Sequence, residues 1–168
     1  MSSTYSRMPV AAIGGHGRAT GLCEWEHTMR LGVSAAREGN TVLAEGLYLQ
    51  ALSLSQALLA GDADAAAMRP DDCVAAFVVS QLNLADLHSD ARRIGAAAAH
   101  LCAAHCKLVA LLRDPDIAPA LQESACRHSR ETHAALLAHV SQHGERPDTM
   151  AALHAAITLS SPPHPTLH

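Results

Sequence analysis

Apolar positions recur at the three-to-four spacing of helices from about residue 22 to residue 159. A first helix is predicted over Leu22–Glu38, with Leu22, Trp25, Met29, Gly32, Val33 and Ala36 on one stripe. Gly39-Asn40 stops it, and Asn40 is suited to cap the next helix. The second covers Thr41–Ala60, with Leu47, Tyr48, Ala51, Leu54 and Leu58 inward, and Gly61 ends it. Residues 61–70 read as a linker. Asp71 or Asp72 caps a third helix that reaches Leu87, with Val74, Phe77, Val78 and Leu84 as its stripe. A fourth spans Ala91–Leu112, striped by Ile94, Ala97, Ala98, Leu101, Ala104, Leu108, Leu111 and Leu112, and Asp114-Pro115 breaks it. A long fifth helix, Ala118–Gln142, stops at His143-Gly144, and a short sixth follows over Thr149–Leu159. Turns at Gly39-Asn40 and Ser89-Asp90 make two antiparallel pairs about 53 residues apart. The expected fold is all-α: five or six helices as stacked antiparallel hairpins, the long fifth helix capping the stack.

Composition agrees. Alanine, the best helix former, supplies 34 of the 168 residues, and aromatics only 2%. An aromatic cage or a base-stacking platform is therefore excluded. The net charge of −4 and the single lysine, Lys107, disfavour nucleic acid as a partner. Five cysteines at irregular spacing form no disulfide framework, and the expected compartment is the reducing cytoplasm. No stretch approaches eighteen uncharged apolar residues, so no membrane span is expected. Residues 1–20 are expected to be a flexible arm, 21–159 one helical domain, and 160–168 a Pro/His tail.

Leu31-Gly32, Gly39-Asn40, Ala44, Tyr48 and Ala51-Leu52 resemble the tetratricopeptide repeat (TPR), in which small residues let two helices approach and large ones fill the hole between repeats. Leu84-Ala85, Ala97, Leu101 and Ala104 form a weaker second copy, with Arg92 or Arg93 where the turn glycine would stand. The likeness covers residues 25–112. The segments WEHTMRLGVSAAREGNTVLAEGLYLQALSLSQ, VVSQLNLADLHSD and ALLAHVSQHG are also similar to a family of short, uncharacterised TPR-like proteobacterial proteins. The resemblance implies a groove lined by the first helix of each pair. It would take Met29, Arg30, Val33 and Arg37 from one helix and Leu82, Asn83, Asp86 and Asp90 from the other. Arg30 and Arg37, seven apart, suit a carboxylate, with a solvated charged face as the plainer reading. Asn83 suits a ligand backbone, or else braces its own neighbourhood. Met29 and Val33 stand where chaperone-binding TPR domains place Lys and Asn, so their carboxylate clamp is not reproduced.

Cys102, His105 and Cys106 share a face of the fourth helix, and Cys126 and His133 of the fifth are placed to face them; thiolate and imidazole suit zinc or copper(I). His100 points away. The plainer reading makes His105 a core histidine and the cysteines small hydrophobes. His128, His133, His139 and His143 on the fifth helix suit a pH sensor, or reflect a lysine-poor, Arg/His-rich surface. No zincin, nucleophile-elbow or Walker motif occurs, and Gly14-Gly15-His16-Gly17 lacks the lysine and strand that phosphate cradling needs. The expected function is thus non-catalytic and without a cofactor: an adaptor or chaperone-like module holding a partner peptide or helix. The alternatives are a Cys/His metal or redox module, and a small-molecule sensor with an apolar pocket between the third, fourth and fifth helices. Self-association as a homodimer through an Ala/Leu-rich face is also expected.

Overall fold

The computed structural model describes residues 20–60 and 70–157; the expected arm up to residue 19, most of the linker and the Pro/His tail lie outside them. The described residues form six helices and no strand: α1 (Thr20–Arg37), α2 (Thr41–Ala60), α3 (Pro70–Asp90), α4 (Ile94–Arg113), α5 (Pro119–His143) and α6 (Pro147–Ile157). Proline opens α3, α5 and α6, where its missing N–H costs no helical bond and its φ is already helical. For that reason α6 starts at Pro147 rather than at Thr149. Acidic residues follow in the first turns of α3 (Asp71, Asp72) and α6 (Asp148), against the positive helix end.

The turns carry the repeat. After α1, Gly39 takes φ +77°, its N–H bonds Ala36 O, and Asn40 N–H reaches Ala35 O at 2.9 Å. This is a Schellman closure. The Asn40 side chain then accepts from Leu43 N–H and caps α2. After α3 the same pair of bonds recurs, Arg92 N–H to Ser89 O and Arg93 N–H to His88 O at 2.8 Å. Here Arg92 itself is left-handed, at φ +60°. So α3 runs three residues beyond the expected Leu87, and α4 begins at Ile94 instead of Ala91. Gly144, at φ +85°, closes α5. The left-handed residues stand at 39, 92 and 144, that is 53 and 52 residues apart. The turn between α5 and α6 thus keeps the spacing of the first two, but α6 packs mainly on α4 and only lightly on α5, so this third pair is looser than the others.

Each hairpin packs on the next. Besides the partners within hairpins, α2 packs on α3 and α4 on α5, while α1, α3 and α5 touch side by side. Asp71 near the start of α3 bonds Arg127 in the first half of α5, so these two helices run parallel. Thirteen of the 21 residues of α3 are buried, because it has neighbours on four sides. Its apolar positions consequently encircle the helix, beyond the stripe read from the sequence. The core runs from Trp25, Met29 and Tyr48 through Val74, Phe77 and Leu84 to Leu108 and Leu136.

The α1–α2 crossing is close. A Cβ at Gly32 would stand 2.7 Å from two ring carbons of Tyr48. Between α1 and α3, Trp25 Nε1 donates to Ser80 Oγ at 2.9 Å, and Ser80 in turn donates to Ala76 O. By length and composition alone, α2 and α4 are both long and apolar enough to cross a membrane. In α4 the apolar positions supply the core, from Ala97 to Leu111. The outer face of α2 leaves Val42 83% exposed, with Leu43 and Leu49 about half exposed.

Candidate functional site

The C-terminal halves of α1, α3 and α5 end on one side of the stack, and the candidate site lies there. Met29 and Val33, expected to line a groove, are closed into the core at 1% and 4% exposure. The stripe that carries Trp25 carries them too, and it faces α2 and α3. Arg30 and Arg37 are exposed. Tyr48 joins the α1 rim to α3: burial pushes its hydroxyl up to about 12, the Asp86 charge adds to that, and Arg37 opposes it. The charges of Arg37 and Asp86 thus act in opposite directions on one phenol. Asn83 is buried at 5% exposure and donates to Val79 O of its own helix at 2.8 Å, so it braces α3. Asp86 and Asp90 are exposed on the same helix.

A pocket of about 170 Å³ opens between α3 and α5, with Leu101 of α4 at its floor. Leu82, Ala85, Ala135 and Ala138 make the apolar walls; Asp86, Ser89, His139, Gln142 and His143 supply the polar groups. The rings of His139 and His143 lie 4.8 Å apart. His139 is 5% exposed, and its Nε2 has no hydrogen-bond partner among the described residues. Burial holds its pKa below the usual histidine value, helped by His143 and Arg146 and opposed by Asp148. The sequence places Leu82 and Asp86 on a shared face and offers His139 and His143 as titrating candidates, but does not point to Ser89 or Gln142. The turn at Gly144 sets the end of α5 beside the end of α3.

The candidate metal ligands do not assemble. Among the described residues no group of three or more His, Cys, Asp or Glu is placed to hold a metal ion. His105 Nδ1 pairs with Thr132 Oγ1 of α5 at 2.9 Å, and its ring tilts on His133 at 5.4 Å. Cys102 looks instead toward the start of α6: burial raises its thiol to about 11, with Asp148 adding to the rise. Cys106 and Cys126 are exposed thiols. Residues three apart on a helix point some 60° apart, enough to aim His105 at α5 and Cys102 at α6.

His100 belongs to another cluster, which no spacing rule in the sequence points to. Its Nδ1 meets Gln81 Oε1 at 2.8 Å, and its ring stacks on His88 at 5.1 Å and 11°. Glu45 of α2 lies 4.0 Å from His88 Nε2 and accepts from Arg93 at 2.7 Å. The Arg93 hydrogen bond lowers the Glu45 carboxyl below its ordinary value. This network ties α2, α3 and α4 at the turn.

A family model described as a protein of unknown function (DUF2753) matches residues 23–168. No curated protein and no solved structure matches the chain.

Proposed function

Because the chain belongs to DUF2753, a family described by its unknown function, we propose a role from the site itself: a non-catalytic, TPR-like protein-interaction module of the cytoplasm. The α1–α3–α5 face receives an extended or helical segment of a partner protein. One observation carries this reading: a pocket opens between α3 and α5 with Asp86 in its lining. Exposed Arg30 and Arg37 on α1 and exposed Asp86 and Asp90 on α3 put opposite charges on neighbouring helices, a pattern that fixes the direction of a bound peptide.

Selection from a displayed random-peptide library against the whole chain tests it. Enriched peptides are expected to shift backbone amide resonances of Arg37, Asp86 and Ala138. Affinity is expected to fall about tenfold in Arg37→Ala, the scale of one lost charge-assisted hydrogen bond. Absence of enrichment, or shifts confined to the outer face of α2, overturns the reading. A second reading, small-molecule sensing, draws on Leu101 closing the pocket floor between α3 and α5. It expects a stoichiometric small-molecule adduct in native mass spectrometry of the untagged chain, and a bare mass sinks it.

A further inference from the structure

We infer that the α3–α5 pocket is an alkylammonium site that takes the side chain of a lysine on the bound segment, an inference that rests on the groove reading above. Size comes first. An apolar cavity of about 150 Å³ holds benzene, so roughly six to eight non-hydrogen atoms are a match for about 170 Å³. The lysine side chain, four methylenes and one nitrogen, is within that limit. Shape and polarity agree, since a lysine is an apolar stem with a compact charged head. Leu82, Leu101 and Ala135 offer the stem an apolar floor, and polar groups are confined to Asp86, Ser89, Gln142 and the two histidines.

Charge decides the sign. No lysine or arginine lines the pocket, and Asp86 contributes a carboxylate to its lining. The pocket also lies at two helix C-termini: Ser89 is one residue from the end of α3 and His143 is the last residue of α5. Carbonyl ends there carry the negative pole of each helix dipole, which favours a cation and repels a carboxylate. An ammonium has three donors, and Asp86, Ser89 and Gln142 each bring an acceptor oxygen. His139 adds a nine-tenths-buried wall with a ring nitrogen that has no partner among the described residues.

The test titrates the isotopically labelled full chain with blocked lysine (Nα-acetyl-lysine amide). Blocked norleucine, blocked Nε-acetyl-lysine and blocked glutamate are run beside it. Saturable shifts at Ala138, His139 and Gln142 are expected from blocked lysine, with binding about tenfold weaker for norleucine and Nε-acetyl-lysine. Asp86→Asn is expected to weaken lysine by a similar factor, with the thermal midpoint checked by circular dichroism. Ala138→Leu, at an exposed helical position, fills the pocket and is expected to abolish the shifts should Asp86→Asn fail to fold. No saturable shift, or equal binding of norleucine or Nε-acetyl-lysine, overturns the inference. Selected peptides that bind without a lysine overturn it while leaving the groove in place. Blocked lysine binding where no peptide is ever selected supports the pocket and removes the groove.

Discussion

Gly32 marks the point where α1 and α2 approach most closely, with the Tyr48 ring 2.7 Å from where a Cβ would stand. Tyr48 is itself 3% exposed, so the ring has little room to yield. Gly32→Ala is expected to destabilise by about 1–3 kcal/mol as an overpacking change. Gly46→Ala, on the same pair of helices with open space around it, is expected to stabilise by about 0.5–1 kcal/mol. Urea unfolding of the two variants checks the contrast, and equal effects would remove the close-approach explanation. Ser80→Ala strands the buried indole N–H of Trp25 and is expected to cost about 1–3 kcal/mol. The same unfolding experiment measures it. Residue-level reading went astray at Met29 and Val33 for a related reason. A repeat register assigns faces from spacing, whereas the Trp25 stripe had already committed those two residues to the core.

Turns decide how much of each element was legible. Gly39-Asn40 announces a left-handed C-terminus and an N-cap in the residues themselves, and both form. The α3–α4 turn has the same hydrogen bonds but an arginine in the left-handed position. The turn-forming residue types there, Ser89-Asp90, stand before the actual turn, so the expected helix ends differ from the observed ones by three residues on each side. Arg92→Gly relieves that conformation and is expected to stabilise by about 0.5–1 kcal/mol. The thermal midpoint should rise by about 2–4 °C for each kcal/mol, and a fall would show that the arginine side chain contributes more than its backbone costs. The third turn, at Gly144, was visible as a helix stop, but its place in the 53-residue rhythm was not. The α5 and α6 sequences lack the small and large residues that made the first hairpin recognisable.

Acid acts on the whole stack. His88, His105 and His139 are each 6% exposed or less, and each holds a ring nitrogen with no partner among the described residues. They sit respectively in the α3–α4 network, against α5, and in the pocket wall. Burial lowers all three pKa values below 6.5. The unfolded chain therefore binds more protons than the folded one as pH drops through about 6.5, and stability falls in that direction. Above the unfolded value the contribution is complete. Asp71 and Asp148, whose carboxyls are lowered by Arg127 and Arg146, extend the loss to lower pH. The urea midpoint is expected to be lower at pH 5.5 than at pH 7.5, with a smaller difference in His105→Gln. A midpoint independent of pH would mean the imidazoles gain protons without opening the seams. The sequence showed that histidines were many, but which of them are buried depends on how the three hairpins stack, and no single helix carries that information.

The Trp25 bond to Ser80 has one more consequence. Trp25 is the single tryptophan of the chain, and it lies in the α1–α3 seam. Its emission therefore reports the parting of the first hairpin from the second and is silent on the third. Far-ultraviolet dichroism counts all six helices alike. In a repeat stack, where neighbours stabilise one another pairwise, coincident optical transitions would mean that the three hairpins melt as one cooperative unit. An early fluorescence change would mean that the chain peels apart from its N-terminal end.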